Sequence, residues 1–543
     1  MPRAVAGRLT AASRCRLSSP AVWFLLLAAS LACNTLAGVG AASPDVSEKV
    51  DIRDLELARV FTDNAVLQRD QPCIVYGRDI PGTTVTVTFA GATSSTLADV
   101  TGHWRVTLQP QPATTTPSTM TIEGSHRKVL RNILVGDVWL ISGQSNADFP
   151  LRSAEGGPAT AASATNSLLR LLLLEESPRT DARAWSAEEV NRLNEKDFFT
   201  GSWEVCTPAR AEKTSAIGFF FARHIQTNQN VPIGLIDCSV GGTPAASWMS
   251  PQSIASHPDT RKLAGRFLAS DTVPEFVRKR LLQNLADWDS AGRPSPMPEH
   301  PYKPASCWRL GFGELAPFAL RGILWYQGET DADFSDPAEF KAMADRYVEA
   351  FAALVNGWRS AWAKPNLPVY FVQLPQMNRP SWPWFREAQA RCSQVVSHTA
   401  MAVTFDCGEP DNVHPARKEP VAERLALIAR ALSYGQAIEW CGPVYRRHRI
   451  EGRHVVVQFA HCEEGLISSD DQPLRFFELA GEDGRFYPAQ ASISGDTVSV
   501  ASPAVPRPDA VRYAWVPTGN VNFYNRGRLP AAPFRTKTFN AGL

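Results

Sequence analysis

No block of a single charge stands out in this chain of 543 residues, whose 55 basic and 54 acidic side chains leave a net charge of +1. Nucleic acid and anionic membrane are therefore poor candidate partners, since both are bound through dense basic patches. No two cysteines have CxxC spacing, which argues against a cysteine-built zinc or redox site. The GxSxG elbow is missing, and with it the ordinary α/β-hydrolase arrangement. There are no internal repeats. The apolar run "AVWFLLLAASLAC" (21–33) is shorter than the roughly 20 residues of a membrane span.

That run has its own reading. Arg3, Arg8, Arg14 and Arg16 precede it, no acid occurs before residue 45, and the small-residue stretch "AGVGAAS" follows. The three features together predict a cleaved secretory signal over 1–42, hence an exported protein without stable membrane insertion. Eight of the ten cysteines lie beyond the leader, an even number that permits disulfides in an oxidising compartment without fixing their pairing. Hydrophobic residues make up 44% and charged residues 20%, as in soluble globular proteins, and the length calls for several domains.

Residues 50–134 read as a sandwich-like β domain: "TTVTVTFAG" (83–91) and "GHWRVTLQP" (102–110) alternate in character between turn-rich segments. From 135 to 437 strands alternate with helices. Five nearly continuous apolar runs, "VWLIS" (138–142), "IGLIDCS" (233–239), "GILWY" (322–326), "VYFVQL" (369–374) and "MAVTFD" (401–406), suit strands buried on both faces. Between them, "DPAEFKAMADRYVEAFAALVNGW" predicts a helix with Asp336 as N-cap, Pro337 first and Glu339 as capping-box partner. Phe340, Met343, Tyr347, Phe351, Leu354 and Trp358 recur at core spacing. This is the grammar of an α/β protein with a doubly wound parallel sheet, whose ligands bind beyond the carboxyl ends of the strands. Residues 440–543 return to β grammar, and 251–305 read only as helical or irregular.

Four strand ends carry unusual polar residues. Ser145 follows the first strand in "GQSNA", Gly241 and Gly242 follow the second in "SVGGT", Gln327 and Glu329 follow the third in "QGETD", and Asp411 and His414 follow the fifth in "DNVHP". A serine hydroxyl needs a base to take its proton, and a histidine oriented by a carboxylate does so near neutral pH. Asp411 and His414, three residues apart, suit those two roles opposite Ser145. The backbone N–H groups of Ser145 and Gly242 and the side-chain amide of Gln327 are candidate oxyanion donors. Gln144, Asn146, Gly241 and Glu329 are candidate substrate contacts, and Asp331 reads as a loop charge paired to an arginine.

In these blocks the chain resembles the sialate O-acetylesterases, within the SGNH (GDSL-like) hydrolases. The resemblance runs from about residue 55 to the end, through "VFTDNAVLQRDQPCIVYGRDIPG", "ILVGDVWLISGQSN", "VPIGLIDCSVGGT", "ALRGILWYQGETDA", "DNVHPARK" and "VRYAWVPTGNVNFYNRGRLPAAPFRT". It implies Ser145 as nucleophile, His414 and Asp411 as base and orienting acid, Gly242 in the oxyanion hole, and Gln327 where SGNH enzymes carry an asparagine. It further implies a three-layer α/β catalytic domain flanked by β domains, no metal or organic cofactor, and removal of acetyl groups from sugar hydroxyls. Two departures stand near the site: Ala147 replaces a methionine, and Ala245, Ala246 and Ser247 replace the usual apolar–glutamate sequence. The alternatives are an esterase of acetylated polysaccharide such as xylan, and a non-catalytic carbohydrate-binding protein, for which the 15 tryptophans would suit sugar stacking.

Overall fold

The computed structural model describes residues 53–256 and 258–537. The predicted signal segment and its two cysteines lie outside the described residues. One strand organises the rest. Arg127–Gly143 starts among the N-terminal β elements, antiparallel to Thr114–Glu123 and parallel to Val66–Gln68. From Asp137 it becomes the middle strand of the central sheet, parallel to Ile233–Ser239 on one side and Gly322–Tyr326 on the other. The anticipated boundary at 134/135 therefore falls inside an unbroken strand, and residues on both sides of it share one hydrophobic core.

Across the central sheet the order is Trp203–Cys206, Asn166–Leu173, Ile233–Ser239, Arg127–Gly143, Gly322–Tyr326, Val369–Val372 and Thr399–Ala402. All neighbours are parallel except the antiparallel edge strand Trp203–Cys206, so the sheet is mixed. The sequence reading had five parallel strands; Asn166–Leu173 is a sixth. Arg170 interrupts its apolar run, but the guanidinium is buried with its Nε donating to Ser167 O (3.0 Å) and is no obstacle to the strand.

Helices cover both faces. Trp139 and Gly322 are register partners, and Trp139 packs edge-on against Phe221 of helix Ala216–Gln229, which lies against helix Glu419–Leu432. Trp325, three residues beyond Gly322, points the other way and meets Trp358 of helix Phe340–Ala361, which packs on Trp382–Val395. The six apolar positions expected to recur on Phe340–Ala361 are all buried. Asp336 caps a 3-10 turn, Pro337–Glu339, ahead of that helix, and Glu339 pairs with Arg346 (3.7 Å) instead of closing a capping box.

The alternating segments form strands Thr84–Phe89 and His103–Leu108 as expected. Residues beyond 440 form additional antiparallel sheets around a second apolar core that includes Val455, Val457, Phe477, Val498, Val511 and Tyr513. Arg535 ties this part to the helix Trp382–Val395 by a bidentate pair with Glu387 (2.7 and 2.6 Å). Segment 251–305 contains helices Pro251–Ser256, Pro258–Gly265, Glu275–Asn284 and Ala286–Ser290. The eight cysteines beyond the leader are all free and buried. Among the described residues no helix is long and apolar enough to cross a membrane.

Candidate active site

Ser145 sits on a tight turn whose shape follows from its neighbours. Gly143 has φ +145°, and a Cβ there would lie 2.0 Å from Tyr326 O, so only glycine fits the end of the strand. Gln144 N–H then donates to Tyr326 O (3.1 Å), while its carbonyl accepts the N–H groups of Ala147 and Asp148 (2.8 and 3.0 Å). The turn leaves the Ser145 hydroxyl at the carboxyl edge of the sheet. There it meets a residue 269 positions away: His414 Nε2 lies 2.7 Å from Ser145 Oγ. The serine is half-buried and the histidine exposed.

Asn146 fastens the two loops together. Its Nδ2 donates to Glu329 Oε1 (2.5 Å) and to Val413 O (2.8 Å), beside His414, and its Oδ1 accepts from Lys418 Nζ. Both ends of the Asn146 amide, read as a candidate substrate contact, are thus used in bracketing these loops. Lys418 is buried, its ammonium over the rings of Phe149 and Tyr326, and burial pushes it down to about 7. Burial likewise holds Glu329 above the usual carboxylate range, against the opposing pull of Asn146 and the Lys418 charge. Lys418 closes the block "DNVHPARK", but its pattern assigned that residue no role.

For His414, desolvation and the nearby Lys418 charge both lower the pKa below the ordinary imidazole value. A base whose pKa is lowered is deprotonated, and hence competent, at lower pH. The acid limb of the rate profile is therefore expected below pH ~6.5. Lys418→Met removes a cation that disfavours imidazolium and should move that limb upward. A pH–kcat/KM profile checks both, and a wild-type limb above pH 7 would contradict the lowered pKa.

Ser145 and His414 line one cavity of about 320 Å³ with Gln144, Gly241, Gly242 and Glu329. The N–H groups of Ser145, Gly241 and Gly242 make no hydrogen bond among the described residues. The glycine requirement falls on Gly242: its φ is +73°, and a Cβ would come within 2.2 Å of Tyr302 Oη. A Cβ on Gly241 would make only ordinary contacts, with Ser145 Cβ and Thr180 Oγ1, each at 3.9 Å. The loop is held by Thr180 Oγ1 and Tyr302 Oη, which donate to Gly241 O (3.1 and 3.0 Å).

Several residues have surroundings other than those expected. The Gln327 amide, read as an oxyanion donor, is fully buried, and the two protons of its Nε2 face three acceptors, Gln144 Oε1 (3.2 Å), Thr243 O (3.2 Å) and Asp331 Oδ2 (2.5 Å). Among the described residues Asp331 is paired to no arginine; it accepts from Gln327 and from Ala245 N–H (3.0 Å), and burial raises it to about 6. Ala147, Ala245 and Ser247 are buried and do not line the cavity; Ala246 borders a different one, of about 550 Å³, that contains neither Ser145 nor His414. Asp411 is exposed, and no hydrogen bond or ion pair joins it to His414 among the described residues. The structure thus unites Ser145 with His414 and leaves Asp411 apart.

Residues without a motif complete the wall. Phe276 and Arg280, one turn apart on helix Glu275–Asn284, and Tyr302 come from the stretch that sequence patterns left unplaced. The Arg280 guanidinium lies 5.4 Å from the centroid of Phe276 and donates from Nη1 to Thr180 O (2.5 Å). Its Nε is buried without a partner, and the acceptor of its Nη1 is a backbone carbonyl rather than a carboxylate among the described residues. Arg379, the cavity's other guanidinium, is paired with Asp333 (2.5 Å).

With this geometry in view, the comparisons are specific. Residues 309–427 match the family model described as "Carbohydrate esterase, sialic acid-specific acetylesterase". The structure is similar to a carbohydrate acetylesterase from Xanthomonas citri, with a TM-score of 0.73 and 32% identity over 89% of this chain and 100% of that one. The chain belongs to the sialate O-acetylesterase family. As a member it is a carboxylic ester hydrolase, and O-acetylated sugars are the substrates of its class. The sialate O-acetylesterases of Rattus norvegicus and Homo sapiens are 25% and 26% identical, over 89% and 88% of this chain and 94% and 91% of theirs.

Proposed function

We propose that this family member is a serine O-acetylesterase acting on acetylated acidic sugars, with Ser145 as nucleophile, His414 as general base and Asp411 as the carboxylate that orients the ring. The observation that carries the reading is the 2.7 Å contact between His414 Nε2 and Ser145 Oγ at the floor of a sugar-sized cavity. Ser145 Oγ attacks the acetyl carbonyl carbon as its proton passes to His414 Nε2. The N–H groups of Ser145 and Gly242 receive the developing oxyanion. Collapse breaks the bond to the sugar oxygen, which leaves as an alcohol with the proton from His414. Water, deprotonated by His414, then attacks the acetyl-serine, and acetate leaves.

Arg280 supports an acidic sugar over a neutral polysaccharide. A guanidinium without an anionic partner in a partly desolvated cavity is completed by a carboxylate from the substrate, and the Phe276 ring next to it offers a stacking surface. The test compares acetylated sialic acid with acetylated xylan, using wild type and Arg280→Gln. Preference for the acidic sugar is expected, and Arg280→Gln should raise its KM by roughly 10- to 100-fold, the size of a lost charge-assisted hydrogen bond, while a small neutral acetyl ester is unaffected. Equal turnover of both sugars, indifferent to Arg280→Gln, would favour the polysaccharide reading.

A further inference from the structure

We infer that the side-chain donor of the oxyanion hole is Gln144, through Nε2, and that Gln327 serves it as a positioning residue. The inference rests on the serine-esterase reading above. Three side-chain amides lie around the nucleophile turn, and the N–H₂ groups of two are fully used. Asn146 Nδ2 spends its two protons on Glu329 and Val413, and Gln327 Nε2 has three acceptors of its own. Gln144 differs. Its Oε1 accepts from Gln327 Nε2 (3.2 Å), Gly328 N–H (3.4 Å) and Thr330 N–H (3.4 Å), whereas its Nε2 makes no hydrogen bond among the described residues. Turning the amide over would set Nε2 against three donors, so the direction of the group is determined.

Gln144 is buried, yet it lines the cavity next to Ser145. A polar N–H₂ on a cavity-lining side chain, with its other end tied down, is a donor fixed before the substrate arrives. That is what stabilisation of a tetrahedral oxyanion requires, because a fixed dipole needs no reorganisation as charge develops. It also explains the short chain of amides. Asp331 holds Gln327 Nε2, Gln327 holds Gln144 Oε1, and each link fixes the orientation of the next.

Gln144→Glu is the decisive variant, since it has the same shape, keeps an oxygen for the Gly328 and Thr330 N–H groups and replaces the donor by a carboxyl oxygen. Gln144→Met removes the donor without adding charge. Both should lower kcat by about 100- to 1000-fold at the pH optimum of each variant, with KM for an activated acetyl ester changed less than about threefold; the melting temperature should be preserved in Gln144→Glu and fall in Gln144→Met, which leaves the Gln327, Gly328 and Thr330 donors unpaired. A purely structural role would instead move KM, kcat and the melting temperature together. If Ser145→Ala is inactive while both Gln144 variants keep kcat within tenfold of wild type, the assignment of Gln144 is overturned and the esterase reading survives. If Ser145→Ala itself retains full activity, the reading beneath the inference falls.

Discussion

Ser145→Ala is expected to lower acetate release from an activated acetyl ester by roughly a million-fold, the scale seen when a catalytic serine is removed and only binding and oriented donors remain. The fold should be indifferent. The Ser145 hydroxyl makes one side-chain contact, with an exposed histidine, while the turn is held by the backbone bonds of Gln144 and by the Asn146 bracket. A half-buried hydroxyl with no structural partner can be removed within about 0.5 kcal/mol. Circular dichroism and melting temperature alongside the assay separate the two effects, and a folded variant that still releases acetate at the wild-type rate would end the proposal. Labelling by an organophosphate-type reagent is an independent readout, because only an activated serine reacts.

Asp411→Asn is expected to lower kcat by about 10⁴-fold with little change in KM. That is the cost when the group at Nδ1 can no longer stabilise the imidazolium and selects the wrong tautomer. Asp411 has no bond to His414 in the free enzyme, but catalytic hydrogen bonds are often open without substrate and close in the complex. Two local features support this role. Asp411 lies three residues before His414 in an exposed turn, and neither its carboxylate nor the His414 Nδ1 has another partner among the described residues. Both groups are thus unoccupied and close along the chain. A drop smaller than tenfold would instead leave a Ser145–His414 dyad, with Lys418 setting the pKa of the base from behind.

The strands were largely legible because burial on both faces leaves an uninterrupted apolar run, as in "IGLIDCS" and "GILWY". Asn166–Leu173 was missed because Arg170 looks incompatible with a buried strand. Its charge is accommodated by Ser167 O, Asn64 and Asn132, partners that no local pattern reveals. The seam between the N-terminal β elements and the α/β part was misleading for the opposite reason. The composition changes at 134, but the backbone of Arg127–Gly143 continues straight through.

The chain by itself marked Ser145 and His414 as the candidate nucleophile and base, and the two side chains meet. Ser145 lies just past the end of Arg127–Gly143 and His414 in the loop that follows Thr399–Ala402, and a parallel sheet brings the segments after its strands to one edge. Only the tertiary structure decided what surrounds them. The direction of an amide depends on every donor and acceptor within reach, so Gln327 is consumed by Asp331 and Thr243 while Gln144 faces the cavity. Phe276, Arg280 and Tyr302 reach the site because helix Glu275–Asn284 and the loop after it pack over the sheet edge, and packing of that kind is set by long-range contacts that leave no periodic trace in sequence.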